Sequence, residues 1–436
     1  MSTTDAGVAT ITFTEADLDR HAAYVTHAPT RRWLTGPGLP GGGDLFSFEA
    51  LRRDGLRTVA DSTADTGGGP AAELRDQLVI GGVRAVGGLE GESVLLDGAT
   101  GEVSTAYFLH DRPDLTEASP LAPSLRLLVR FAAATDELAG LRGQFASYAG
   151  RYGQQVAADA ARQLLAVFEE GIREAAEETG THGESEAGKE SGAGEDSGAD
   201  GEGWETTPLF WRIAAVIRPL ALVAGPSTRS GLAVDLPPRL LEEEFGTGAV
   251  VRFEDVDFPA ALVHEPTRRF LREVGLPEDG VWFGLDTDVP LPTLAQYYAD
   301  ERESVFRTAD VPARDRLPEG AHRLIRLGHL LEDTSLVVDG TTGAVFAWSE
   351  AETVLRPLNT DVSTLAFTLW LIHREKSLDA EYDLTDAYEH LAAAMARTLA
   401  AVDPLAVDPA PRTPDDDGWR YWPEMFEDEA GGGLCA

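Results

Sequence analysis

Apolar residues in this chain follow a helical period in some stretches and alternate in others, and the same succession occurs twice. SLRLLVRFAAATDEL (124–138) and STLAFTLWLIHREKSL (363–378) both place apolar side chains at three- and four-residue spacing, which predicts a buried helix in each. Leu128 lines up with Phe367 and Phe131 with Trp370, so both helices are expected to turn the same side inward. Ahead of them stand VRAVGGLEGESVLLDGATGEV (83–103) and LIRLGHLLEDTSLVVDGTTGAV (324–345), strand-like runs broken by Asp-Gly-x-Thr-Gly. Behind them come AADAARQLLAVFEEGIREA (157–175) and LTDAYEHLAAAMARTLAAV (384–402), again helical. The longest apolar stretch, TPLFWRIAAVIRPLALVAG (207–225), is broken by Arg212, Arg218 and Pro219 and fits a buried helix better than a membrane span.

The clearest repetition is short. HAPTRRWLTGPGLP (27–40) returns as HEPTRRFLREVGLP (264–277), with nine of fourteen positions identical. Thr30 and Thr267 can serve as N-caps with two turns of helix to follow, and Gly275 is placed to stop the second helix in the left-handed region. Gly36-Pro37 predicts a shorter helix in the first copy. Adjacent arginines, 31–32 and 268–269, diverge by about 100° on a helix, so at most one of each pair can lie inward, fastened to a carboxylate. Asp97-Gly98 and Asp339-Gly340 predict tight hairpins. Gly203-Trp204 with Pro208-Leu209-Phe210 echoes Gly418-Trp419 with Pro423-Glu424-Met425-Phe426.

Two homologous domains follow, 8–223 and 234–436, joined by a linker at 224–233 whose core, AGPSTRSG, is made of turn formers. The first copy carries an insert expected to be a disordered acidic loop at about 175–203. Between Glu174 and Glu205 eleven acids face Lys189 alone, a charge of −10 with too little apolar area to offset chain entropy. A shorter tract, DPLAVDPAPRTPDDDGW, fills that slot in the second copy. The second copy alone opens with DLPPRLLEEEFG, where Asp235 can cap, Leu240, Leu241 and Phe245 give an apolar side, and Gly246 ends the helix.

Composition narrows the function classes. With 36 basic and 74 acidic residues the formal charge is −38, which argues against binding nucleic acid or an anionic membrane and favours a basic partner. The one cysteine, Cys435, excludes an intrachain disulfide and a thiolate metal site. The N-terminus has neither a basic nor an apolar signal region, so a cytoplasmic protein is expected.

Candidate chemistry is thin. Gly188-Lys189-Glu190-Ser191 is a chance echo of a phosphate loop, PGLPGGGD (37–44) lacks dinucleotide spacing, and no zinc-protease or nucleophile-elbow motif occurs. The Asp-Gly-x-Thr-Gly turns have one acid each and no distant glutamate to make a calcium loop. His21, His110, His182, His322, His329, His373 and His390 are scattered without ligand spacing, and His322 and His329 flank a strand pattern. His27 and His264, with the paired arginines, are the one acid/base or anion-gripping alternative; a structural role is favoured because no nucleophile accompanies them. No catalytic residue, cofactor or metal is expected.

Taken together, these residues resemble tandem domains of the SUKH superfamily, of its SUKH-4 type of bacterial immunity protein. The resemblance rests on Thr-Arg-Arg-(Trp/Phe)-Leu…Gly-Leu-Pro, on the strand with Asp-Gly-x-Thr-Gly, on the Ser-headed helix at 124 and 363, and on the late Gly-Trp. The second copy fits better; the first departs at Gly36-Pro37 and in its acidic insert. The resemblance implies an α+β fold, a mixed or antiparallel sheet flanked by helices in each copy. It also implies an inhibitor bound to a co-encoded polymorphic toxin, a nuclease or deaminase, with no catalytic residues to carry over. Such a toxin would be basic, and the two copies could pair with each other. A regulatory interaction scaffold is the alternative, since some SUKH relatives serve cellular regulation.

Overall fold

The computed structural model describes residues 10–63, 69–84, 90–108, 112–180, 207–280, 283–287, 289–300, 317–331, 334–407 and 420–427. His110, His182, both late Gly-Trp pairs and most of the acidic tract lie outside these residues. The chain forms two compact units, Met1–Ala149 with Ala160–Ala215, and Gly150–Asp159 with Val216–Ala436. Each is α+β with antiparallel strands.

In the first unit β1 (Phe46–Ser47), β2 (Arg57–Thr58), β3 (Leu78–Arg84), β4 (Glu90–Leu96), β5 (Val103–Ala106) and β6 (Ala118–Ala122) make one sheet. Its order is β1-β3-β4-β5-β6, with β2 also on β3. The strand β1 can approach β3 because position 81 has no side chain: a Cβ there would lie 2.4 Å from the Ser47 carbonyl. The helix Leu125–Ala139 is capped by Ser124, whose Oγ accepts from the Leu127 N–H at 3.3 Å, and it buries Leu127, Leu128, Phe131 and Leu138. The helix Gln154–Gly180 is lashed to it by Arg130, which reaches Glu170 at 2.7 Å and Glu174 at 2.9 Å. Residues 175–180, expected to open the acidic loop, continue this helix, because Glu174 and Glu178 are held there by Arg130 and Arg126.

Trp211 completes this core. Its ring lies 5.3 Å from Phe131, 5.2 Å from Phe168 and 6.0 Å from Phe46, and its Nε1 donates to the Leu121 carbonyl of β6 at 2.7 Å. The indole is thus apolar around its edges and satisfied at its one polar atom, as a buried tryptophan must be.

The second unit opens with two small ribbons, β7 (Gly225–Pro226) with β8 (Val234–Asp235), and β9 (Val250–Val251) with β10 (Leu276–Pro277). The segment read as a linker is therefore folded: Asp235 accepts from the Thr228 N–H at 2.8 Å and the Ser230 N–H at 3.2 Å, closing the β7–β8 turn. Asp235 does not cap the next helix, Leu240–Phe245, which starts from Arg239 in the left-handed region. Gly246, at φ +88°, ends that helix as the sequence suggested.

A six-stranded meander follows: β11 (Asp279–Gly280), β12 (Phe283–Leu285), β13 (Leu324–Leu330), β14 (Thr334–Asp339), β15 (Val345–Ser349) and β16 (Val354–Asn359). His329 falls within β13 itself. The long helix Val362–Tyr382 buries Phe367 and Trp370. It is headed by Asp361 and not by Ser363, because the carboxylate accepts from the Ser363 N–H at 2.8 Å and also takes the Ala233 N–H at 2.5 Å. Beyond the helix Tyr388–Val402, Asp403 is buried and accepts from Asn359 Nδ2 at 3.2 Å and from the Thr360 N–H at 2.8 Å. Trp422, in the helix Tyr421–Glu427, donates to Asn359 Oδ1 at 3.0 Å. Trp422 and Trp211 thus each tie a late helix to the last strand of a sheet. The echo between Pro208 and Pro423 was out of register; the tryptophans are the counterparts.

Among the described residues no helix is long and apolar enough to cross a membrane.

Candidate functional site

The repeated phrase is a brace across a hairpin turn, built the same way in each unit. Its helices span Ala28–Thr35 and Glu265–Glu273, the first shorter by one residue. Each starts two residues before its threonine, with His27 or His264 at the N-cap position and Pro29 or Pro266 in the first turn. The threonines do not cap because proline, lacking an N–H, is accommodated only where the helix leaves that donor unused. They are buried instead, and each Oγ1 shares a hydrogen bond with its histidine Nδ1, at 2.8 Å for His27–Thr30 and 2.9 Å for His264–Thr267. Gly275, at φ +82°, ends the second helix as expected.

The histidines sit beneath the Asp-Gly-x-Thr-Gly turns. The N–H groups of Thr26 and His27 donate to the Gly98 carbonyl at 2.9 and 2.8 Å, and those of Val263 and His264 to Gly340 at 2.8 and 2.9 Å. Asp97 Oδ1 accepts from Ala99 and Thr100, and Asp339 Oδ1 from Thr341 and Thr342, at 2.7–3.1 Å. These are wider turns than two-residue hairpins. The positive φ falls on the second glycine, Gly101 at +88° and Gly343 at +81°, because the aspartate's hydrogen bonds set the turn two residues further on.

Both glycines of each turn are required. A Cβ on Gly340 would lie 2.2 Å from the Ala261 carbonyl, and one on Gly343 would lie 2.4 Å from His264 Nδ1. Gly343→Ala is accordingly expected to cost about 2–3 kcal/mol, through left-handed strain added to overpacking. Urea denaturation of wild type and variant measures it; a loss below about 0.5 kcal/mol would show that the brace yields freely.

One arginine of each pair is fastened and the other is not. Arg31 reaches Glu15 and Asp19, both at 2.8 Å, and Arg268 reaches Asp255 at 3.1 Å. Their partners hold Arg31 above its ordinary pKa, the Glu15 bond first and the Asp19 bond next. Arg32 and Arg269 have no carboxylate partner among the described residues. The threonine hydroxyls paired with the histidines are buried, and each histidine is occupied by its threonine and its turn.

One surface feature was missed in the sequence. In the second unit the β7–β8 ribbon and the helices Leu240–Phe245 and Glu265–Glu273 enclose an open groove of about 970 Å³. Its floor is apolar, with Leu232, Val234, Leu240, Leu241 and Phe270 all buried. Four arginines line it. Arg239 and Arg252 share Glu242, at 3.0 and 2.5 Å, and these bonds, Arg252's the larger, hold the Glu242 carboxyl below its usual range. Burial would raise the Asp235 carboxyl, but bonds from Ser230 and Thr228 outweigh it and keep this group well below the usual carboxylate range. Arg229 and Arg269 have no carboxylate partner among the described residues. The signal for the groove was DLPPRLLEEEFG, legible as a helix but not as a wall.

A second unusual group is Arg326, buried on β13 and paired with Asp286, with Nε donating to Ser335 Oγ at 3.3 Å and the guanidinium 4.0 Å from the Tyr297 ring centre. Burial pulls its pKa down to about 10. It is enclosed between sheet and helix and has no open face for a substrate. Among the described residues no three metal-ligating side chains converge.

The SUKH-4 immunity protein family matches this chain twice, over residues 6–171 and 236–428, more than half of its length. No curated protein and no solved structure matches it.

Proposed function

The chain belongs to the SUKH-4 immunity protein family through both of its halves, and from that premise we propose that it is a non-enzymatic, stoichiometric inhibitor of a co-encoded toxin of nuclease or deaminase type. Membership implies a toxin-neutralising immunity role; the toxin class and the mode of docking are this reading's own. The double family match carries it. Charge supports it: a protein at −38 is drawn to the basic cleft that an enzyme acting on nucleic acid needs, and can occupy that cleft in place of the polyanion. The brace supports it too, because its histidines and fastened arginines are spent on architecture, which leaves outer faces for a partner. Inhibition in the cytoplasm, by two copies that could also pair with each other, completes the reading.

Co-expression with each neighbouring gene product tests it: one product should copurify and lose its toxicity. The complex should have a Kd of about 1 nM or lower. Its association rate, followed by stopped flow, should fall at least about tenfold between low and high salt. A flat rate would remove charge-guided capture. Failure of every neighbour to copurify would remove the inhibitor reading altogether.

A further inference from the structure

We infer that the groove of the second unit is a docking site for an extended acidic segment of a partner protein, whose carboxylates pair with Arg229 and Arg269 while its apolar side chains cover the floor. Acids outnumber bases by 74 to 36, and Arg239, Arg252, Arg268 and Arg272 around this groove each have a carboxylate within 4.0 Å. Arg269 has none among the described residues, although three acids line the same groove. Each of those is already engaged. Asp235 is held by Thr228 and Ser230, Glu242 by Arg239 and Arg252, and Glu273 by Arg272 at 3.5 Å. Two guanidiniums are therefore left facing an apolar floor, a combination suited to carboxylates spaced by hydrophobic residues.

The groove lies in the second compact unit, where Gly150, Tyr152 and Gly153 also line it. Arg32, the counterpart of Arg269, is exposed, and among the described residues the first copy has no segment matching the helix Leu240–Phe245 that forms one wall. The alternative occupants fit less well. A basic segment would meet two arginines that have no carboxylate among the described residues, and a wholly apolar one would leave both guanidiniums unanswered. The inference rests on the reading of this chain as a partner-binding protein, but not on that partner being a toxin.

The test is fluorescence anisotropy of the full chain with a fluorescein-labelled peptide in which aspartates alternate with leucine and valine, beside analogues carrying Asn or Lys for Asp. Wild type should bind the aspartate peptide saturably. The Asn analogue, Arg269→Ala and Arg229→Ala should each weaken binding about tenfold, and Arg32→Ala should leave it unchanged. No saturable binding by wild type overturns the inference, as does equal binding of the Lys analogue or indifference to both groove substitutions. Should Arg269→Ala fold poorly, the exposed Arg229 still decides. Copurification of a silenced neighbour is scored separately. A protein that takes the peptide but silences nothing keeps the groove and loses the inhibitor reading; one that silences a toxin yet ignores the peptide does the reverse.

Discussion

Trp211→Ala is expected to destabilise the first unit by about 3–5 kcal/mol, enough to unfold many domains. The indole is fully buried among Phe46, Phe131, Phe168 and Phe210, with ring centres 4.9–6.0 Å away, so its removal empties a space that four rings cannot refill. It also strands the Leu121 carbonyl, which now accepts the Nε1–H at 2.7 Å. Trp211→Phe separates the two effects. It keeps most of the volume and loses the hydrogen bond, so about 1–2 kcal/mol is expected. Chemical denaturation followed by circular dichroism measures both, and an alanine variant within about 1 kcal/mol of wild type would show that the aromatic cluster is not the core.

The second large effect is electrostatic. Asp286→Ala should cost the second unit about 3 kcal/mol, because it leaves the buried Arg326 guanidinium with a hydroxyl and a ring face in place of a carboxylate. The penalty comes from an uncompensated charge and not from the pair's net worth. Adding Arg326→Met should therefore recover much of the loss, making the double variant more stable than Asp286→Ala alone. That sign is the test: a double variant less stable than both single ones would mean that the ion pair itself holds β13 in place.

The two units were legible because their repetition is local. A helix with an inward Phe131 or Trp370, a left-handed Gly275 and a turn held by Asp97 or Asp339 are each specified within a dozen residues. What escaped notice depends on distant partners. Asp361 outranks Ser363 as a cap partly because it also holds Ala233, more than a hundred residues away. The segment around residue 228 reads as a linker until Asp235 is seen folding back on it. Trp211 and Trp422 were misaligned because their shared role is a bond to the last strand, not a shared neighbouring sequence. The groove was invisible for the same reason: its floor and its arginines come from three separated stretches.

The late tryptophans also explain where the copies are free to differ. In the first unit, the helix ending at Gly180 is tied down by Arg126 and Arg130, and Trp211 is anchored on Leu121. In the second, Asp403 is clamped by Asn359 and Thr360, and Trp422 is anchored on that same asparagine. The sequences of the two copies diverge most between these moorings, and each mooring is made by residues outside that divergence. Changes of length or charge in the sequence between them leave these bonds untouched, so the chain still comes home to the same berth.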